Sequence, residues 1–211
     1  MLNKRIKEEL KSIKNKETKI KFSLGTLSLV AICLAFLIIS TFTQIRFSGV
    51  DTGINTYLKF EYIPQIPIVL FIATLLGESF GLLTILIYII LGLTPNYPIF
   101  GMGGGLSYIF QYNFGYIFAY IFAVILSAKE LKKGNSITNT IKAALFGVLI
   151  IHAVGIFYMT INALIRHDSF AFIGNWIYYQ SLSKILFDIV FGIIAILIGK
   201  GIKKFLWLIL N

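Results

Sequence analysis

Apolar residues run through this chain in long blocks punctuated by charge. Between Lys21 and Arg46 lie 24 uncharged residues, and between Lys142 and Arg166 lie 23. About 20 apolar residues cross about 30 Å of hydrocarbon, so each block predicts one membrane-spanning helix. The 50 uncharged residues between Glu78 and Lys129 are too many for one crossing. Thr94-Pro95-Asn96-Tyr97-Pro98 and Gly101-Met102-Gly103-Gly104-Gly105 interrupt them with helix-stopping residues, which predicts two spans joined by a loop. A shorter span with Pro64 and Pro67 lies between Glu61 and Glu78, and a last one follows Trp176 to Gly199, interrupted by Lys184 and Asp188. The pattern predicts an all-α integral membrane protein, with a basic segment over 1–21 and six transmembrane helices in one bundle over 22–211.

Composition agrees with lipid as the main solvent. The chain has 211 residues, 57% apolar and 13% charged, against about 45–50% and about 25% in soluble domains. Cys33 is the single cysteine, and His152 and His167 are the two histidines, which excludes a disulfide framework and a histidine-rich metal site. The formal charge of +10 is explained by topology. With six spans both termini share a side, and that side collects 15 of the 19 cations; only Arg46, Lys59, Arg166 and Lys184 fall outside it. Basic residues are retained in the cytoplasm, so both termini are expected there, in a multi-pass protein of the cell membrane. Because the lysines flank apolar spans and form no basic face interleaved with aromatics, nucleic acid is excluded as a partner. The segment 1–21 has no cleavage site after a short apolar core and reads as retained. Leu2, Ile6, Leu10 and Ile13 recur at helical spacing among its lysines, which suits either an amphipathic helix on the inner leaflet or a solvated tail.

Polar groups inside spans carry the chemistry. Lys184 precedes the inner boundary at Lys200 by 16 residues, about 24 Å of helix, which sets it in the outer half of the bilayer. A cation there is expected to face the bundle interior and meet an anion or a polar cavity. Asp188, one turn deeper, offers the plainer alternative of an i,i+4 ion pair. Ser181, Lys184 and Asp188 share one predicted helical face. Gln65, Asn113 and Tyr116 supply a second outward polar set, led into by Tyr108 and Gln111, whereas Tyr57, Tyr62 and Tyr97 read as interfacial anchors. The glycine cluster is not a phosphate loop, and no hydrolytic, redox or metal motif occurs, so neither an enzyme nor a cofactor is expected. Ala31 and Ala35 form a small-x-x-x-small pattern that lets another helix approach closely.

The run Leu76-Gly77-Glu78-Ser79-Phe80-Gly81-Leu82, then Gly92-Leu93, Pro98-Ile99-Phe100, Gly103-Gly104-Gly105-Leu106 and Gly115-Tyr116, resembles the BioY family, most densely over 64–127. The resemblance implies a biotin-binding S component of an energy-coupling factor (ECF) transporter. Such a subunit is a six-helix protein that captures a vitamin outside and docks on a transmembrane coupling protein joined to two ATPase subunits. It further implies a docking role for Ala31 and Ala35, and a substrate site including Lys184 and Gln65. In the family motif an aspartate stands three residues before that lysine, where this chain has Ser181, and the Gly-Pro-Thr-Gly segment reads Gln111-Tyr112-Asn113-Phe114. Biotin carries an anionic valerate suited to a buried ammonium and a ureido ring suited to amide, hydroxyl or carboxylate partners. The expected site is therefore Lys184, Asp188, Ser181, Gln65, Asn113 and Tyr116, closed by the loop 47–62 and the glycine-rich loop. Another vitamin or small acid, and a non-transport structural role, remain the alternatives.

Overall fold

The computed structural model describes residues 24–48, 59–95, 97–101 and 103–210. The basic segment 1–21 and the centre of the loop 47–62 lie outside them. In chain order the elements are α1 (Leu24–Phe42), β1 (Ile45–Ser48), β2 (Lys59–Tyr62), α2 (Gln65–Leu93), a 3-10 turn (Leu106–Phe110), α3 (Phe114–Lys132) and α4 (Ile137–Ile165). Then come α5 (Phe170–Ile177), a wide π turn (Tyr178–Leu182) and α6 (Ile185–Leu210). Among the described residues, five helical stretches are long and apolar enough to cross a membrane: α1, α2, α3, α4 and the continuous run Phe170–Leu206. This is a mostly helical, multi-pass membrane architecture.

Helix α2 is not one rod. Gly77 takes φ 72° and ψ −166°, a conformation open only to a residue without Cβ. Gln65 Nε2 and Tyr88 Oη nevertheless lie 3.0 Å apart, whereas a straight helix would hold residues 23 apart separated by about 35 Å. The helix therefore reverses at Gly77, and its two halves lie side by side.

Ser136 caps α4 by accepting from Asn139 N at 3.1 Å, and Ser169 caps α5 by accepting from Phe172 N at 3.2 Å. That second cap starts the last helical run at Phe170, earlier than a start after Trp176. Large apolar side chains cover the outside at helical spacing: Ile32, Phe36 and Ile39 on α1, Phe118, Phe122 and Leu126 on α3, and Leu186, Val190 and Ile194 on α6. Hydroxyls turn inward, where each finds a carbonyl. Thr74 donates to Leu70 O and Thr84 to Phe80 O, both at 2.8 Å, and Ser127 donates across to Ala143 O on α4 at 2.9 Å. Lipid cannot accept these hydrogen bonds, so the interior must.

The all-α reading misses a hairpin. β1 and β2 pair antiparallel with Ile45 opposite Tyr62 and Arg46 opposite Glu61, and Arg46 Nε sits 3.2 Å from Glu61 Oε1. Strands of four residues are too short to register as alternation beside spans of two dozen apolar residues.

One end of the bundle gathers charge. Glu78, next to the Gly77 reversal, meets Lys132 at 2.9 Å and Lys129 at 3.6 Å, while Lys200 Nζ donates to Thr140 Oγ1 at 2.8 Å.

Candidate functional site

At the opposite end, side chains from seven elements form a polar cluster between the helices. Its buried acid is Asp188 on α6, 2% exposed. Asp188 Oδ1 accepts from Tyr62 Oη at 2.7 Å and Oδ2 lies 3.1 Å from His152 Nε2. One carboxylate thus ties β2 and α4 to α6. A single acceptor group holding two donors in the interior is far stronger than the same contact in water.

Gln65, at the start of α2, organises the neighbouring region. Its Nε2 donates to Thr41 Oγ1 at 2.7 Å and Tyr88 Oη at 3.0 Å, and its Oε1 accepts from Tyr120 Oη at 3.2 Å. The Gly77 reversal makes this possible, because Gln65 and Tyr88 stand on the two halves of one helix. Phe100, from the loop after α2, packs over Tyr88 and Tyr108 with ring centroids 5.4 and 4.7 Å away.

Tyr116 and Ser181 meet at 2.8 Å between oxygens, with Ser181 buried. The space for Tyr116 comes from Gly155 on α4, where a Cβ would stand 2.3 Å from the tyrosine ring; in return the Tyr158 side chain lies over Gly115 on α3, its Cβ 2.3 Å and its ring 2.7 Å from a Cβ built there. These reciprocal contacts need glycine at both positions. Asn113 stands half-buried at the start of α3, where its carbonyl accepts from Tyr116 N at 3.1 Å.

Lys184 is half-buried at the head of α6, and its Nζ donates to Gln180 Oε1 at 3.1 Å. The i,i+4 pair with Asp188 does not form. Asp188 is taken by Tyr62 and His152, and a lysine placed before its acid is the weaker order for such a pair along a helix. Among the described residues Lys184 joins no salt bridge. Nor do Ser181, Lys184 and Asp188 form one regular helical face, because the π turn at Tyr178–Leu182 widens the helix just ahead of Lys184.

At the rim of this end, Tyr112 packs between Phe172 and Trp176, with Arg166 stacked 4.6 Å from its ring centroid. Its hydroxyl donates to Asp168, and that hydrogen bond raises the phenol above its ordinary pKa. Ala31 and Ala35 are exposed along α1.

The family profile of BioY proteins matches residues 14–207. The chain belongs to the BioY family. Its fold is similar to a crystal structure described as the S-component for biotin from an ECF-type ABC transporter, at a TM-score of 0.66 and 22% identity, covering 86% of this chain and 92% of that chain. No curated protein matches the sequence.

For this BioY family member the structure brings Gln65, Tyr116, Ser181, Lys184 and Asp188 to one end of the bundle and adds residues that sequence reasoning missed. Tyr62, read as an interfacial anchor, is 1% exposed and donates to Asp188, which corrects that reading. A tyrosine reaches an interface and a buried acid equally well, and only the hairpin decides between them. His152 carried a usable signal, since it lies in the middle of an uncharged block where a titratable group is costly. Thr41, Tyr88 and Tyr120 carried none.

Proposed function

We propose that this chain is the substrate-binding membrane subunit of an ECF-type transporter, an S component that captures biotin from outside for ATP-driven uptake by partner subunits. Family membership and the likeness of fold to the biotin S-component support the reading. The observation that carries it is Lys184: a half-buried ammonium at the outward end of the bundle whose contact is an amide oxygen, leaving it able to meet a solute carboxylate. Gln65, Asn113, Tyr116 and Ser181 then line the polar side of the site. Asp188 belongs to the same site as the anchor that holds its walls.

In this reading the two halves of α2 each cross the membrane, which makes six crossings and puts both termini in the cytoplasm with 15 of the 19 cations. Residues 22–211 are the binding domain and 1–21 a basic cytoplasmic segment of a cell-membrane protein. The exposed alanines Ala31 and Ala35 are the docking stripe for a transmembrane coupling protein carrying two ATPase subunits, and the chain itself performs no chemistry.

Mass spectrometry of small molecules retained by the purified protein is expected to find biotin. Lys184→Met is expected to weaken biotin binding by about tenfold or more without lowering thermal stability. Unchanged affinity would remove Lys184 from the site. The second reading, a different vitamin or small acid on the same scaffold, is favoured by Ser181 pairing with Tyr116 at a position where the family motif has a carboxylate. Retention of another vitamin in the same measurement would select it. A protein that retains and binds none would favour a structural role.

A further inference from the structure

Two buried nitrogens among the described residues have no hydrogen-bond partner: Trp176 Nε1, in the outer aromatic group, and His152 Nδ1. The second is the more demanding, because His152 is 3% exposed and lies near the middle of α4. Its other nitrogen is committed. Asp188 takes Tyr62 on Oδ1 and His152 Nε2 on Oδ2, and an ionised carboxylate only accepts, so Nε2 carries the hydrogen. Nδ1 is then a bare lone pair. The opposite assignment would leave an unmet N–H in the interior, which is the rarer and costlier orphan. The arrangement is that of an oriented acceptor: a buried acid behind the ring, a fixed tautomer, and a lone pair with nothing to accept from. The wall around it is the one already assigned to the solute. The Tyr116 ring stands edge-on to His152 with centroids 6.1 Å apart, its hydroxyl reaches Ser181, and Gly155, one turn along α4 from His152, clears room for that ring.

We infer that His152 Nδ1 accepts a hydrogen bond from an N–H of the captured solute, with Asp188 and Tyr62 as positioning residues that hold the tautomer. The inference rests on the proposed function and names the group at the far end of the solute from Lys184. Biotin fits that chemistry, since its carboxylate and its two ureido N–H donors lie at opposite ends.

The test uses the full chain in detergent with 15N-labelled histidine. The chain has two histidines, and His167→Asn assigns the other one. His167 holds φ 59°, a conformation asparagine tolerates. On saturation with biotin the pyridine-type 15N signal of His152 is expected to move upfield, as it does when its lone pair is engaged. A second arm compares biotin with biotin methylated at both ureido nitrogens. His152→Phe is expected to lose about tenfold or more for biotin and little for the dimethyl compound, and His152→Gln, which restores an acceptor, to recover part of the loss. An unmoved Nδ1 signal with biotin bound, or equal losses for both ligands, overturns the inference and leaves the transport reading standing. Unmodified protein that binds no biotin overturns both.

Discussion

The two ends of this bundle handle polar groups in opposite ways. At the end carrying Glu78, charge stays near the surface and meets opposite charge, with Lys129 and Lys132 on Glu78. At the end carrying Gln65 and Asp188, polar groups are drawn between the helices and meet hydroxyls, amides and one imidazole. Surface ion pairs of the first kind are replaceable by water and salt. Contacts of the second kind have no such substitute, so each one fixes a helix position. The lesson is that buried polar contacts concentrate at the end where the proposed solute site lies, while the other end keeps its charge pairs replaceable.

The contrast breaks most visibly at Asp188. Replacing it by leucine strands Tyr62 and His152 in the interior and is expected to cost about 3–5 kcal/mol, read as a fall in thermal unfolding temperature in detergent. The Gly77 reversal comes next. A Cβ built there touches nothing within 4 Å, so Gly77→Ala tests backbone strain alone and is expected to cost about 1–3 kcal/mol. The smallest effect belongs to Glu78→Gln, expected at about 1 kcal/mol or less and vanishing in high salt. Salt is expected to leave the Asp188→Leu cost unchanged. If Glu78→Gln proves as costly as Asp188→Leu, the division between the two ends is wrong.

Much of the helical layout was legible because charge and proline mark where apolar blocks stop. Glu78 read as a turn, and the reversal sits beside it at Gly77. The same logic picked out Asp188 and Lys184 as embedded charges. Their partners were not legible. Tyr62 and Asp188 are 126 positions apart, and which groups meet across that interval depends on helix rotation and tilt, to which hydropathy is blind. Local spacing also offered Lys184 and Asp188 as an alternative ion pair, whereas a π turn and two better-placed donors keep them apart. The hairpin failed to register because eight residues of strand carry too little pattern, yet it delivers Tyr62 to the deepest acid in the site.

The reversal at Gly77 has a mechanical side. From Gln65 to the glycine the first arm of α2 is 12 residues, about 18 Å of helix, against about 30 Å of hydrocarbon. In the proposed six-crossing topology, so short an arm obliges the bilayer to thin locally around Glu78 and its lysines.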